Sequence, residues 1–328
     1  MLLEVSDPSQ IAAARRAATS LAETRGLGDE AIGRVALVAT EMATNLLKHG
    51  HGGRISLDVY GDASGTGVEL IAFDAGSGIA NVPLALTDGF STAGTMGVGL
   101  GVIQRQANLF TLFSQPAMGT VLVARVAGTA AASEIGVILG AVSVPHPDEM
   151  VCGDGWAYAA AGVGPTLLLV DGSGHGSDAQ LASAMAIKVF QENAQVSCTR
   201  LMEIIHQALA PTRGAAVGVA RIDLQAQLVR FVGVGNISSA MLSGGNVKRM
   251  VSHHGTAGMM APRIREFTYP YESPPTVILH SDGLTTNWDF AKYPGLLVAH
   301  PSVIAGLMFR DFRRGRDDAT VAVMRSVS

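Results

Sequence analysis

Thr166-Leu167-Leu168-Leu169-Val170-Asp171-Gly172-Ser173-Gly174-His175-Gly176 is the stretch whose reading decides the second half of the chain. Five uncharged residues form a short apolar run, which fits a buried strand. The run ends on an acid, and glycine then recurs at every second position. Working upstream, Trp156 to Ala161 forms a second strand pattern, joined to the first through Gly162-Val163-Gly164-Pro165 as a hairpin. Three more acids stand beside strand patterns: Gly153-Asp154-Gly155, Ser281-Asp282-Gly283 and Arg316-Asp317-Asp318-Ala319-Thr320. One Asp-Gly pair usually marks nothing more than a turn. Four acidic strand ends within one half of a chain can converge on one edge of a sandwich. Hard divalent cations take oxygen ligands, and paired metals share carboxylates.

The rest of this half is strand-rich. Ala215 to Asp223, Gln227 to Val234, Ser239 to Leu242, Thr276 to Ser281 and Ala319 to Arg325 read as strands, and Asp178 to Asn193 and Thr199 to Ala210 as helices. Strand ladders with an inserted helical pair suggest a sheet sandwich covered by helices.

The first half mixes helix and strand. Asp7-Pro8-Ser9-Gln10 is a helix start, with Asp as cap, Pro at the first position and Gln at the third. Asp29 opens a second helix whose inward stripe is Ile32, Val35, Ala36, Ala39, Met42, Ala43 and Leu46. Arg54 to Tyr60, Val68 to Phe73, Leu109 to Ser114 and Thr120 to Val126 read as strands, with a helix from about Gly99 to Ala107. Glu41 and Asn45 lie four apart, on one helix face. Asp74-Ala75-Gly76-Ser77-Gly78 sits at a strand end, where an acid can accept from an amino group while glycines let a ring approach the backbone. Gly94-Thr95-Met96-Gly97-Val98-Gly99-Leu100-Gly101 runs into a helix, and glycine-rich amides at a helix N-terminus suit phosphate. The spacing is not that of a dinucleotide fold, and no Gly-Lys-Ser/Thr of a P-loop occurs.

Composition narrows the field. The 328 residues suggest two domains, and 48% hydrophobic with 15% charged residues excludes a disordered chain. Net charge is −4, which gives no basic footprint for nucleic acid or an anionic membrane. Two cysteines, Cys152 and Cys198, exclude a disulfide scaffold. No stretch reads as a membrane span or a signal peptide, so a cytoplasmic protein is expected. Small, turn-prone residues from Val126 to Ser133 mark a boundary. The domains expected are 1–128 and 134–328, joined by a linker at 129–133.

The ordered set Glu41-x-x-x-Asn45, Asp74-x-Gly76-x-Gly78, the glycine run and Gly119-Thr120 resembles the ATP-binding domain of the GHKL superfamily. Glu41-Met42-Ala43-Thr44-Asn45 looks most like anti-sigma-factor serine kinases of the RsbW and RsbT type. The resemblance, over roughly residues 10 to 126, implies a Bergerat α/β sandwich that binds ATP and Mg²⁺. By position, Glu41 is the base for a protein hydroxyl and Asn45 the Mg²⁺ ligand. Asp74 reads adenine, with Gly76 and Gly78 shaping its pocket. Gly97, Gly99 and Gly101 lie under the phosphates, and Thr120 supports the adenine.

From about Glu134 onward the acid set resembles metal-dependent protein phosphatases of the SpoIIE and RsbX branch. Asp171-Gly172-Ser173-Gly174-His175-Gly176 is its most specific match, supported by Gly233-Val234-Gly235-Asn236 and Asp317-Asp318-Ala319-Thr320. That implies a 2C-type α-β-β-α sandwich, so the whole chain is expected to be α+β. It also implies two Mn²⁺ or Mg²⁺ ions that acidify the attacking water. Asp171 bridges them and Gly172 offers its carbonyl. Asp282 and Asp317 hold one ion, while Asp154 holds the other directly or through water. Asp318 is an alternative to Asp317. His175 reads either as a general acid or as a turn histidine. Asn236 reads as shaping a glycine loop, Cys152 as a small buried residue, and Arg213 as the candidate for substrate phosphate. The function implied is a bifunctional serine/threonine kinase and phosphatase acting on a STAS-domain antagonist, RsbS- or RsbR-like, in a partner-switching sigma-factor pathway. A homodimer is among the assemblies expected. The alternative is a phosphatase whose ATP domain only senses nucleotide or a partner.

Overall fold

The computed structural model describes residues 1–62, 65–86, 99–129, 136–161, 164–260 and 263–327. In chain order it begins with β1 (Leu2–Val5), α1 (Ser9–Thr24), α2 (Asp29–His49), β2 (Gly53–Asp62) and β3 (Gly65–Phe73). The single turn α3 (Val82–Ala85), α4 (Gly99–Gln106), β4 (Leu109–Ser114) and β5 (Thr120–Thr129) follow. Next come β6 (Val137–Val144), β7 (Asp154–Ala161), β8 (Gly164–Gly172), α5 (Ser177–Asn193), α6 (Cys198–Ala208) and β9 (Ala215–Asp223). The chain continues through β10 (Leu228–Val234), β11 (Ser238–Ser243), β12 (Asn246–Met250), β13 (Phe267–Pro270) and β14 (Thr276–His280). It finishes with α7 (Pro301–Phe312) and β15 (Ala319–Ser326). Two compact units result: Met1–Glu134 with Val298–Arg310, and Ile135–Leu297 with Asp311–Ser328.

The first unit is an antiparallel sheet in the order β1-β2-β3-β5-β4. Its inner face carries Ile55, Leu57, Leu70, Ala72, Leu122 and Ala124, which pack against Val35, Val38, Met42 and Leu46 of α2. That match follows from a period of two in the strands meeting a helical stripe. At the start of α1, Asp7 Oδ1 accepts from Ser9 N at 2.8 Å, and Gln10 Oε1 accepts from Asp7 N at 3.0 Å. Side chains thus satisfy the free amides of the first turn.

The outer face carries Glu69, Ile71 and Phe73 of β3 beside Arg125, Val123 and Val121 of β5. Helix α7 covers it. The Phe309 ring meets Phe73 edge-on at 5.5 Å. A Cβ on Gly306 would stand 2.9 Å from both Ile71 and Val121, so only glycine fits. Arg125 is buried in ion pairs with Asp62 at 2.7 Å and Glu69 at 2.6 Å, and Ser302 Oγ donates to Glu69 at 2.6 Å. The sequence reading gave everything beyond residue 134 to the second domain and had no helix here. Residues Pro301 to Phe309 are all buried, so they show no polar stripe from which a helical period could be read.

In the second unit two antiparallel sheets, β13-β10-β9-β8-β7 and β12-β11-β14-β15-β6, face one another. Leu167, Leu169, Ile222 and Phe231 of the first meet Val277, Leu279, Ala322 and Met324 of the second. The opposite face of β8 packs Leu168 and Val170 against Ala182, Ala186 and Phe190 of α5 and Leu201 of α6. Burial on both faces explains the unbroken run Leu167 to Val170. Helix α6 starts on Ser197, whose Oγ accepts from Arg200 N at 3.3 Å. The expected linker falls partly outside the described residues, and β5 already reaches Thr129.

Candidate functional site

In the second unit the pairing of β7 with β8 sets Asp154 directly opposite Asp171. The Asp282 turn follows β14, and Asp317 precedes its partner β15, so both lie at the same end of that pair. Ser281 N donates to Thr320 O at 3.0 Å, closing this end of the pair. Ser281 Oγ donates to Asp154 Oδ2 at 2.6 Å and thereby joins the two strand pairs. Asn236 Nδ2 donates to Asp282 Oδ2 at 2.7 Å. The sequence reading had Asn236 only shaping its loop, and it missed Ser281. Both flank recognised motifs, and neighbourhood in sequence was the one signal available for them.

The four acids sense one another. Asp171 is pushed up to about 8, first by burial and then by Asp154, Asp282 and Asp317. Asp154 is pushed up to about 7, first by burial, with Asp318 and Asp317 adding to it. Asp282 is also raised, by burial and then Asp317, while Arg314 and Asn236 oppose the shift. Among the described residues no three acidic, histidine or cysteine side chains already close into a ligand array. The crowded carboxylates accept hydrogen bonds from Ser281 and Asn236.

The adjacent acids differ. Asp318 Oδ1 accepts from His146 N at 2.8 Å, and its Oδ2 is buried without a hydrogen-bond partner among the described residues. Asp317 acts on Asp154, Asp171 and Asp282 alike, whereas Asp318 acts on Asp154. Gly172 has no room for a side chain, because a Cβ would run into the Ala179 carbonyl. The all-oxygen donor set, two protonation-prone carboxyls and an orphaned buried oxygen fit hard divalent cations. His175 Nδ1 lies 2.6 Å from Glu149 Oε1, and its ring stacks on His146 at 4.5 Å. Cys152 is pushed up to about 12 by burial, so it is a neutral thiol. Arg213 is held by Asp178 at 2.6 Å.

In the first unit Glu41 and Asn45 sit one turn apart on α2. A Cβ on Gly99 would stand 3.1 Å from both Glu41 Oε2 and Asn45 Oδ1, so the start of α4 lies against this pair. Asn45 Nδ2 is buried with no hydrogen-bond partner among the described residues, a polar group free to take one. Gly101 is buried in α4. Gly97 lies outside the described residues.

Asp74 ends β3. Its Oδ1 accepts from Gly76 N at 2.8 Å and Thr120 N at 3.3 Å, and burial is the chief cause raising its carboxyl. Gly119, at φ +72°, passes so close that a Cβ would overlap the Asp74 carbonyl. Gly78, at φ +68°, presses in the same way on Gln115. Thr120 Oγ1 pairs with Ser114 Oγ at 2.8 Å, a partner the sequence reading missed. Hydrogen bonds thus gather Gly76 and Thr120 around Asp74, while Gly78 packs on the neighbouring Gln115 turn.

A sheet backed by a helix bearing Glu41 and Asn45 with Asp74 at a strand end, and a double sheet with acids on one edge, define two domain classes. Residues 5–126 match the histidine kinase-like ATPase domain, and residues 165–326 match stage II sporulation protein E, SpoIIE. The serine/threonine-protein kinase RsbT of Bacillus subtilis (strain 168) is 33% identical over 110 residues, which is 34% of this chain and 83% of RsbT. The chain belongs to the RsbT family through this first domain, and it carries a SpoIIE domain of the 2C-type phosphatase class after it.

Solved structures agree on the fold. The 2C-type phosphatase domain of SpoIIE from Bacillus subtilis, with a fragment of its regulatory domain, is 19% identical. The match covers 98% of this chain and 96% of that one, with a TM-score of 0.50. A chain from work on the bacterial stressosome as a modular system controlling secondary-messenger signalling is 24% identical. It covers 58% of this chain and 99% of that one, with a TM-score of 0.53. Among the described residues no helix is long and apolar enough to cross a membrane.

Proposed function

We propose that this cytoplasmic chain both writes and erases one phosphate on a STAS-domain antagonist, as RsbS- or RsbR-like proteins would present it in a partner-switching pathway controlling a sigma factor. The observation that carries the reading is the gathering of Asp154, Asp171, Asp282 and Asp317 on one edge, with Glu41 and Asn45 paired against Gly99 in the other unit. The 33% identity to a serine/threonine-protein kinase supports the writing half.

In the kinase site Glu41 takes the proton of the attacking serine or threonine hydroxyl. Asn45 would hold Mg²⁺, Asp74 would accept from the adenine amino group, and Gly99 and Gly101 would leave room for the phosphates. Thr120, tied to Ser114 and to Asp74, fixes the adenine side of the pocket.

In the phosphatase site Asp154, Asp171, Asp282, Asp317 and the Gly172 carbonyl would hold two Mn²⁺ or Mg²⁺ ions. When bound, these ions lower the pKa of water and neutralise phosphoryl charge. Ser281 and Asn236 orient Asp154 and Asp282. Glu149 fixes the His175 ring through Nδ1, leaving Nε2 to protonate the departing serine oxygen.

The test is incubation with [γ-³²P]ATP and a STAS partner, with and without Mn²⁺. Label should enter the partner and require Glu41, and Mn²⁺ should release it unless Asp171→Ala or Asp282→Ala is present. Transfer surviving Glu41→Ala, or release surviving both aspartate variants, overturns the assignment.

A further inference from the structure

A cavity of about 430 Å³ beside the acid edge is lined by Asp282, Arg314, Arg316 and Asp317. Its two arginines stand on the turn that leads into β15. Gly315 between them takes φ +73°, which makes the reversal. Arg314 N donates to Gly283 O at 2.8 Å, and Thr285 N donates to Phe312 O at 2.8 Å. These bonds tie the arginine turn to the Asp282 turn, so both guanidiniums are carried beside the acids. Arg314 is near enough to pull the Asp282 carboxyl downward against its burial.

Both arginines are exposed, and neither joins an ion pair among the described residues. Several other arginines of the chain are engaged with internal partners. Arg213 is taken by Asp178, Arg125 by Asp62 and Glu69, and Arg230 by Asp223 and Glu266. Arg221 spends its guanidinium on the Ala194 and Val196 carbonyls. The cavity lining is balanced in charge, two against two. Once Asp282 and Asp317 face cations, the arginines lack a counter-charge. A tetrahedral dianion with several terminal oxygens restores it, because the planar guanidinium fork matches phosphate oxygens in pairs.

We propose that Arg314 and Arg316 form a clamp for the phosphoryl group of a phosphoserine or phosphothreonine side chain, and so select the phosphomonoester substrate. This rests on the phosphatase reading above, and supplies the recognition of phosphate that none of the acids can give. It takes the role that the sequence reading had given to Arg213, which pairs with Asp178 at the surface. The clamp reads charge and shape at one group, so discrimination between phosphorylated and unmodified protein falls to these two residues.

Two measurements on the full chain test it. In the first, inorganic phosphate is titrated by calorimetry in Mg²⁺ into wild type, Arg314→Ala, Arg316→Ala, the double variant and Arg314→Lys. Affinity should fall about tenfold for each arginine removed, the size of one charge-assisted hydrogen bond, with Arg314→Lys in between. In the second, a phosphoserine peptide is hydrolysed in Mn²⁺. KM should rise by a similar factor while kcat stays within about twofold.

A double variant that binds phosphate as wild type does, or that loses kcat alone, overturns the clamp. If wild type hydrolyses the peptide and the variants are unmoved in both measurements, the clamp fails and the phosphatase reading stands. If phosphate binding falls in the variants while wild type hydrolyses nothing, the clamp stands and the phosphatase reading fails.

Discussion

Taking the cation-free protein from about pH 5 to about pH 8 should lower its melting temperature by roughly 10 °C, and Mn²⁺ should reverse most of that loss. The reasoning starts from Asp171, whose carboxyl rises from 3.8 to about 8, and Asp154, which rises from 3.8 to about 7. A carboxyl whose folded pKa lies above its unfolded value holds its proton longer in the folded state. Its contribution is full below pH 3.8 and is lost as pH climbs through the folded value. The two groups repel each other, so their shifts share a common part and do not add. Counting one shift of about 3 units at roughly 1.4 kcal/mol per unit gives about 4 kcal/mol. A unit of this size moves its melting point by roughly 2–4 °C per kcal/mol, which leads to the figure of about 10 °C. Scanning calorimetry in EDTA across this range, on wild type and Asp171→Asn, measures it. The variant should flatten the slope and melt higher at the alkaline end. A flat or rising wild-type profile, or a variant parallel to wild type, refutes the reasoning.

Other substitutions probe the scaffold. Arg125→Met strands Asp62 and Glu69 in the interior without their cation and should cost about 3–5 kcal/mol in urea unfolding, whereas a loss under about 1 kcal/mol would show the cluster to be hydrated. Gly119→Ala forces a side chain onto φ +72° and into the Asp74 carbonyl. It should cost about 1–3 kcal/mol and abolish ATP binding by equilibrium dialysis, while Gly28→Ala, whose Cβ meets nothing, should leave binding intact. His280 is held neutral, its pKa pushed down to about 4 chiefly by burial, between the Trp288 indole and the Ser281 carbonyl. A base with a depressed folded pKa stabilises above its unfolded value and loses that contribution as pH falls from 6.5 towards 4. His280→Gln should therefore flatten the acid limb of the melting profile.

How far the sequence was legible depended on burial pattern. Helix α2 and strand β2 have one face inward, so their periods were visible in Val35, Met42, Ile55 and Leu57, whereas β3 and β5 are covered on both faces and read as apolar runs. Strand β8 was visible as an apolar block because both of its faces are covered. The short edge strands β1, β12 and β13 have few residues and mixed exposure, and gave no pattern. The acids of the second site were marked by neighbouring glycines. Their supports were not, since Ser281, Asn236 and Glu149 are ordinary polar residues made relevant by strand register. In the nucleotide pocket Asp74 and its glycines were readable, while Ser114 was hidden in an unremarkable strand end. Nothing in the sequence singles out Arg314 and Arg316, and only the folding of that turn onto Gly283 gives them a neighbourhood.

Helix α7 bears on how the protein can be cut. A gene fragment that stops after β5 would contain every nucleotide-pocket residue and still be incomplete. It would turn Ile71, Phe73, Val121 and Val123 into a bare greasy panel, with Arg125, Glu69 and Asp62 wetted among them. Such a fragment should aggregate or pair with itself, and supplying residues 298–312 as a separate peptide should rescue it. The nucleotide half is therefore best handled as a discontinuous module, with a piece borrowed from about 160 residues further along the chain.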